Sequence, residues 1–219
     1  MRKQKKTFLF RLTLIVFLFL AILGAKEVWE KSNIQAATME KGWNLILVNQ
    51  YHYIPENYEV ELVELDNGKQ VDKKIYAPLQ EMFSAAEEED IYMVVVEAYR
   101  KEEEQEELMD EKVEEYTQKG VPEFLAKKFA EKWVAKPGTS EHQLGIAVDI
   151  NPDYRRSDRD RVYEWLAENS YLYGFIYRYP EDKAQITGIN NEPWHYRYVG
   201  IEAATEMYEQ GICLEEYLE

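Results

Sequence analysis

Apolar residues recur along the chain with two different spacings, which predict strands and helices. Short apolar or alternating runs rich in β-branched and aromatic residues are typical of strands. Such runs occur at residues 42–50 (GWNLILVNQ), 91–99 (IYMVVVEAY), 147–150 (AVDI), 171–180 (YLYGFIYRYP) and 192–200 (EPWHYRYVG). We expect the run at 91–99 to be a buried strand. Aromatic residues fall on every second position from 171 to 179, which predicts a strand with one aromatic face.

Helical spacing fills most of the chain between these runs. It predicts helices after Pro78 in the segment 76–90, and at 100–120, 122–134, 157–169 and 201–211. The segment 157–169 opens with a Ser157 to Asp160 capping signal. No regular strand-helix-strand rhythm is present, so the pattern favours an α+β fold over a parallel α/β fold. We predict a single mixed domain with a central antiparallel sheet flanked by helices, preceded by an N-terminal membrane-anchor or signal helix.

Acidic residues are concentrated in the predicted helix at 100–120. Nine of the fifteen residues at 101–115 are Asp or Glu. Met109, Val113 and Tyr116 keep one apolar stripe at helical spacing. The segment therefore predicts a solvated helix with one packed face rather than an acidic metal site.

The N-terminal segment differs in character from the rest of the chain. Four basic residues precede an apolar run at 8–25, which is the charge order of a secretory signal or a signal anchor. The uninterrupted apolar part is short for a membrane span, so both an uncleaved anchor and a cleaved signal stay open. We expect a signal anchor or signal peptide at 1–25, a polar stalk at 26–41 and a folded domain at 42–219. This places the domain outside the cytoplasm, either anchored to the cell membrane or secreted.

Charge and cysteine content exclude several classes of function. The chain of 219 residues has 42 acidic and 26 basic residues, and without residues 1–11 only 21 basic residues remain, for a net charge of −21. Nucleic acid is a poor partner because no stretch of this part supplies a basic phosphate-binding face. Cys213 is the only cysteine, so intramolecular disulfides and cysteine-bound zinc are both excluded.

Two of the three histidines have a carboxylate near them in the sequence. His142 is followed by Asp149, and His195 is preceded by Glu192 within NEPWH. These residues could supply two imidazoles and one carboxylate to zinc while one carboxylate stays free, as in hydrolytic zinc sites with an open water position. We expect His52 to be an ordinary surface or core residue. An iron(II) oxygenase also uses two histidines and a carboxylate, but the expected export counts against it.

The motifs SEHQLGIAVD and EPWH resemble those of the VanY-like D-alanyl-D-alanine carboxypeptidases, zinc peptidases that trim peptidoglycan stem peptides. The resemblance extends through LVN, AYR, YGFIYRYP and ITGI, and covers roughly residues 45–218. By position it implies that His142, Asp149 and His195 are the zinc ligands and that Glu192 is the catalytic base. It makes residues 42–219 a zinc carboxypeptidase domain whose partner is a peptidoglycan stem peptide.

The resemblance also implies three residues that meet the substrate. Arg100, at the end of the predicted strand at 91–99, matches the arginine of a Tyr-Arg motif and would stabilise the oxyanion formed at the scissile carbonyl. Gln105 and Ser140 match residues that would bind substrate. Their alternative interpretation is as surface polar residues near a helix start and a turn.

One departure from the family pattern concerns specificity. The family commonly has Ser-Gly-Tyr-Arg-Ser around the arginine, whereas this chain has Glu97 and Lys101 at the two outer positions. We expect a D,D-carboxypeptidase that removes the terminal D-alanine, with an L,D-carboxypeptidase acting on tetrapeptide stems as the alternative. A non-catalytic wall-binding module is the third hypothesis, which the presence of both Glu192 and Arg100 disfavours. We expect the protein to be a monomer.

Overall fold

The strands form two antiparallel sheets in the computed structural model, which describes Gly24 and residues 41–219. A short hairpin consists of β1 (Leu62–Glu64) and β2 (Gln70–Asp72). The main sheet has the order β3-β4-β6-β5. Its strands are β3 (Met93–Glu97), β4 (Ala147–Pro152), β5 (Phe175–Tyr177) and β6 (His195–Tyr198). The predicted α+β architecture with a central antiparallel sheet is therefore confirmed.

From Lys73 to the end of the described part, the helices lie between and after these strands. They are α1 (Lys73–Glu88), α2 (Glu102–Gln118), α3 (Glu123–Ala130), α4 (Arg159–Asn169), α5 (Ala184–Thr187), α6 (Ile201–Gln210) and α7 (Leu214–Leu218). Short 3₁₀ helices occur at Glu141–Leu144, Ser170–Tyr173 and Glu181–Lys183. The acidic helix α2 is solvated as predicted, since Gln105 is its only buried residue.

The two faces of the main sheet carry different chemistry. Side chains alternate between the faces of a strand, and Val148 and Ile150 of β4 belong to the main apolar core together with Tyr196 of β6. Helices α1 and α4 supply residues to this core. The opposite face of β4 and β6 carries Asp149 and His195. The sheet thus separates an apolar core from a polar face on which a site is built.

A second apolar cluster forms around the C-terminal helices. Ala203, Ala204 and Met207 of α6 pack with Leu214 of α7 and with Ile176 of β5. This cluster fixes α7 against the sheet. It also brings the acidic residues of α7 close to the polar face.

The prediction of a strand at 42–50 was wrong. Ile46, Leu47 and Val48 are buried, but the segment has only an isolated bridge between Asn49 and His52. The reason is that the Arg197 guanidinium donates hydrogen bonds to the carbonyl oxygens of Asn44 and Ile46. Because a side chain satisfies these carbonyls, the segment is buried without a partner strand.

The prediction of one long strand at 171–180 was also wrong. Residues Ser170–Tyr173 form a 3₁₀ helix, and only Phe175–Tyr177 form a strand. Gly174 separates them with a φ of 83°, in the left-handed region that favours glycine. The aromatic alternation therefore crosses a turn.

The exposure of β3 and the start of two helices differ from prediction. Val94 and Val96 are each 39% exposed, so the strand predicted to be buried is covered on one face only. Helix α1 begins at Lys73 with Asp72 as its cap, and Pro78 lies inside it. The cap of α4 is Asp158, which accepts from the Arg161 amide, whereas Ser157 accepts from the Tyr92 amide.

The N-terminal predictions concern residues that the structure leaves almost entirely undescribed. The expected signal anchor or signal peptide at 1–25 and the stalk at 26–41 lie outside the described residues, apart from Gly24 and Lys41. Within residues 41–219, no helix has the length and apolar character needed to cross a membrane.

Candidate metal centre

Two of the predicted ligands lie next to each other on one face of the main sheet. Asp149 of β4 pairs in register with His195 of β6, so their side chains lie on the same face. The third, His142, lies in the 3₁₀ helix Glu141–Leu144, which ends at Gly145 with a φ of 71°. The Ala98 and Arg100 backbone holds this turn, because Ala98 O accepts from His142 Nδ1 and Arg100 N donates to His142 O.

The three side chains converge on one point. Their candidate ligand atoms all lie within 4.8 Å of one another. Asp149 Oδ1 lies 3.4 Å from His142 Nε2 and 3.0 Å from His195 Nδ1. Both histidines are buried.

The hydrogen bonds of the two histidines define which nitrogen faces the centre. His142 Nδ1 lies 2.8 Å from the Ala98 carbonyl and donates to it, which leaves Nε2 for a metal. His195 has the opposite arrangement, with Nδ1 towards Asp149 and Nε2 3.4 Å from Glu141 Oε2. Each ring thus has an oxygen partner on the side away from the centre.

The electrostatics of the ligands fit a site made for a cation. Burial opposes ionisation of Asp149, but His142 and His195 outweigh it and hold the pKa of Asp149 well below its usual range. Burial alone would lower the pKa of His195, but its hydrogen bonds to Asp149 and Glu141 raise it to about 9. A metal and a proton therefore compete for the same site on His195.

Glu192 lies beside the ligands and not among them. Its Oε2 is 3.9 Å from His195 Nδ1. A turn that contains Pro193 connects the two residues, with the His195 amide donating to Glu192 O. Burial, together with the charge of Asp149, raises the pKa of Glu192 to about 7. A carboxyl group with this pKa is suited to accept and release a proton near neutral pH.

Arg100 and Gln105 form one unit on the wall of the site. Arg100 Nη1 donates to Gln105 Oε1 at 2.8 Å, and Gln105 Nε2 donates to Ala135 O at 2.7 Å. Gln105 is buried, so its alternative interpretation as a surface residue was wrong. Glu97 is one of the two departures from the family pattern. Its Oε2 lies 3.4 Å from Arg100 Nη2, so the carboxylate forms an ion pair with that guanidinium.

The residues predicted to act together line one cavity of about 150 Å³. The three candidate ligands, Glu192, Arg100, Gln105 and Ser140 all belong to its lining. Ser140 is buried, so it is not a surface residue either. Leu108, Trp133, Ile189 and Trp194 supply apolar walls. The cavity thus combines a cation site, a proton acceptor and a guanidinium.

A buried charge cluster next to the centre was missed by the sequence analysis. It consists of Glu141, Arg178, Arg197 and Glu215. Arg178 Nε lies 2.8 Å from Glu141 Oε1, and its two other nitrogens reach both oxygens of Glu215 at 2.8 and 2.7 Å. The only signal in the sequence was the placement of arginines inside the apolar runs FIYRYP and HYRYVG.

The donor set fits zinc. Two imidazole nitrogens and one carboxylate oxygen suit zinc, whereas calcium and magnesium favour all-oxygen shells. His142, Asp149 and His195 would hold the ion and leave a fourth position open to the cavity. His52 lies outside the cavity lining, and its Nδ1 is 2.9 Å from Asn49 Oδ1.

Comparison with known proteins identifies the family. The model of the VanY family, described as D-alanyl-D-alanine carboxypeptidase, matches residues 68–201. The chain belongs to this family. The family predicted from the sequence motifs is therefore confirmed, and the matched range includes all seven predicted site residues.

Individual VanY relatives agree with this assignment. A D-alanyl-D-alanine carboxypeptidase of Enterococcus faecalis is 56% identical over 192 residues, which cover 86% of this chain and 72% of the relative. A mutant of the vancomycin-resistance D,D-pentapeptidase VanY, solved in complex with Zn(II), is 59% identical with a TM-score of 0.79, and the match covers 81% of this chain and 99% of that one. The same identity and TM-score are found for VanYB in complex with D-alanine-D-alanine, over 80% of this chain and 97% of that one.

An L,D-carboxypeptidase is also similar to this chain. The structure of LdcB has 33% sequence identity and a TM-score of 0.67, over 80% of this chain and 86% of that one. The fold therefore occurs both in a D,D-pentapeptidase and in an L,D-carboxypeptidase, and the two VanY structures have the higher identity to this chain.

Proposed function

We propose that this protein is a zinc-dependent D,D-carboxypeptidase that removes the terminal D-alanine from peptidoglycan stem peptides. The observation that carries the proposal is the position of Glu192 beside His142, Asp149 and His195 in one cavity of a chain that belongs to the VanY family. A metal triad with a separate proton acceptor is the inventory of a hydrolytic metallopeptidase.

Glu192 supplies the proton transfer. Its carboxylate takes a proton from the attacking water and then delivers it to the amine of the departing D-alanine. Zinc, when bound, supplies a Lewis acid that lowers the pKa of a coordinated water and polarises the scissile carbonyl. Burial keeps Glu192 basic enough for the first transfer and acidic enough for the second, with a pKa of about 7.

Arg100 stabilises the negative charge that develops on the carbonyl oxygen. A guanidinium with a fixed orientation is effective in this role because it needs no reorganisation during the reaction. Gln105 provides the fixed orientation, since its amide is bonded to Arg100 on one side and to the Ala135 carbonyl on the other. We therefore assign Gln105 to positioning Arg100, and Ser140 to contact with the substrate from the cavity wall.

The stereochemical specificity is tested with two substrates offered separately. Stem pentapeptide ends in D-alanyl-D-alanine, whereas stem tetrapeptide ends in a single D-alanine after an L-centre. A D,D-carboxypeptidase releases D-alanine from the pentapeptide alone, and an L,D-carboxypeptidase releases it from the tetrapeptide alone. Release of D-alanine from neither peptide would contradict both assignments and point to an endopeptidase or dipeptidase cut, or to a non-catalytic wall-binding module.

We also propose that the domain acts outside the cytoplasm. The proposal rests on the basic and apolar order of residues 1–25, which predicts an anchor or a cleaved signal. With an anchor, full-length protein fractionates with membranes and external protease releases the domain. With cleavage, a soluble chain beginning near Lys26 is recovered instead. Full-length protein in the cytoplasmic fraction would contradict both.

We also propose that the protein is a monomer. His142, Asp149, His195 and Glu192 all come from one chain and converge without a second copy. Light scattering of the purified protein, which gives the molar mass in solution, should return the mass of a single chain. A dimer mass would contradict the proposal.

A further inference from the structure

Glu141 lies between Ser140 and His142 in the sequence, but its side chain contacts His195. Glu141 Oε2 lies 3.4 Å from His195 Nε2. The Glu141 side chain has no exposed surface, so bulk water does not compete with Glu141 as the hydrogen-bond partner of His195. Its contact is with the ring nitrogen on the side of His195 that faces away from the centre.

Two arginines hold the Glu141 carboxylate in place. Its Oε1 lies 2.8 Å from Arg178 Nε and 2.9 Å from Arg197 Nη1. Both arginine side chains are fully buried. Arg178 is in turn fixed by Glu215, which accepts from both of its terminal nitrogens and from Asn49 Nδ2. The two arginines therefore hold Oε1 and leave Oε2 to face His195.

We propose that Glu141 is a positioning residue of the metal centre, which accepts a hydrogen bond from His195 Nε2–H and thereby keeps the Nδ1 lone pair directed at the zinc site. The inference rests on the metal centre of the proposed function. It assigns to Glu141 a role in metal affinity, and to Arg178 and Arg197 the role of holding its carboxylate.

The reason lies in the two tautomers of imidazole. A neutral imidazole carries its proton on one nitrogen only, and the unprotonated nitrogen is the metal ligand. His195 therefore binds zinc through Nδ1 only when the proton is on Nε2. In a buried site that proton needs an acceptor, and carboxylates commonly provide it for metal-binding histidines. Glu141 is the acceptor in this structure.

The substitution Glu141→Gln tests the proposal because it reverses this preference. Arg178 and Arg197 offer only donors, so the amide oxygen turns towards them and the amide NH₂ faces His195 Nε2. A donor there favours the tautomer with the proton on Nδ1, in competition with zinc. The zinc affinity, measured by competition with a chromophoric chelator, should fall about 10- to 100-fold. The Co(II) absorption spectrum of the substituted protein should also change, since it reports the ligand geometry directly.

Glu215→Gln is the matched control. It makes the same chemical change in the same charge cluster, next to the same Arg178, but Glu215 bonds Arg178 and Asn49 and not a histidine. Its zinc affinity and Co(II) spectrum should stay close to those of the wild type. An equal loss in both variants, or no loss in Glu141→Gln, would overturn the proposal. Wild-type protein without zinc affinity would instead remove the metal centre itself.

Glu141→Asp decides the question if Glu141→Gln does not fold. The aspartate keeps the charge that balances the arginines, but it is one methylene shorter and cannot reach both them and His195. A folded Glu141→Asp protein, verified by circular dichroism, should bind zinc more weakly than the wild type. Wild-type affinity in this variant would refute the positioning role.

Discussion

Two carboxyl groups at the metal centre have pKa values shifted in opposite directions. The pKa of Asp149 is held below its usual range despite burial, because two histidines surround it. Glu192 does not lie between two histidines, and burial raises its pKa from 4.5 to about 7. This shift corresponds to a free-energy cost of roughly 3 kcal/mol for the ionised form. A pair of carboxyls with separated pKa values indicates different roles, so Asp149 is suited to bind the ion and Glu192 to exchange protons.

The substitution Glu192→Gln should separate these roles. Glutamine keeps the size and one oxygen but cannot accept the proton of the attacking water, so turnover should fall by on the order of 10² or more. Zinc content, measured by elemental analysis, should remain at the wild-type level. His142→Ala is the control, in which both zinc and activity should be lost. Loss of zinc in Glu192→Gln would show that the glutamate is a ligand.

The pH dependence of kcat/KM should also report Glu192. The ionised form is the base, so activity should be low below its pKa and rise about tenfold per pH unit until it levels off. The midpoint should lie at or below about 7, because the charge of bound zinc favours the carboxylate. The residual activity of Glu192→Gln should lack this acidic limb. Persistence of the limb in that variant would assign it to another group.

At the residue scale, the structure brings together the predicted site residues whose chemistry and sequence spacing coincide. His142, Asp149, Glu192 and His195 occur in two short motifs whose residue types already match a zinc hydrolase. Glu141 was missed because its partners lie far away, with Arg178 37 positions along the chain. Local sequence carries no information on which distant charge a buried carboxylate will meet.

At the scale of elements, the register of the β4–β6 pair places two of the three candidate ligands. Asp149 lies opposite His195, so a shift of one residue would turn one of them to the apolar face. The remaining ligand depends on Gly145, whose left-handed conformation ends the His142 turn. The Gly145 carbonyl also accepts from the Asp72 amide at 2.7 Å, which joins the turn to the β1–β2 hairpin.

Gly145→Ala should destabilise the fold and weaken zinc binding. A Cβ at this position would lie 2.8 Å from Val60 Cγ2 and 3.1 Å from the Asp72 backbone nitrogen. Left-handed strain alone costs about 1–2 kcal/mol, and the backbone contact adds to it, so urea denaturation should show a loss of about 2 kcal/mol or more.

Gly68→Ala is the control for this change. Gly68 has a φ of 82°, but a Cβ there would meet no atom within 4 Å. It should show only the conformational strain and unchanged zinc affinity. Equal losses for the two glycines would mean that the close approach at Gly145 is not important.

The predicted helices and strands match the structure best where the apolar pattern of a segment comes from a single helix or a single short strand. Helices α2, α4 and α6 and strand β4 follow their predicted segments. The run at 42–50 failed because Arg197, from a distant strand, satisfies its carbonyls. The run at 171–180 failed because the left-handed Gly174 interrupts an alternation that continues on both sides.

At the scale of the whole molecule, the candidate metal centre joins the Glu141–Leu144 turn to two strands of the main sheet. His142, Asp149 and His195 link a turn to two strands, so an ion bound to all three stabilises the folded state. At free zinc 100-fold above its Kd the stabilisation is about 2.7 kcal/mol, which corresponds to roughly 5–10 °C in Tm for a domain of this size.

Chelator treatment followed by thermal unfolding tests this stabilisation. The Tm of the wild type should fall on zinc removal and return when zinc is added. Glu192→Gln should show the same shift, and His142→Ala should show none. Identical Tm values for the wild type with and without zinc would exclude a metal shared by these elements.

The pair of hydrogen bonds between Arg178 and Glu215 has a consequence for the order in which the metal centre assembles during synthesis. A ribosome makes the chain from the N-terminus, so His142, His195 and both buried arginines exist before Glu215 is added. Until α7 is synthesised and docked, Arg178 lacks the two acceptor oxygens that Glu215 provides. A nascent chain therefore carries all three candidate metal ligands before Glu215 is available to fix Arg178.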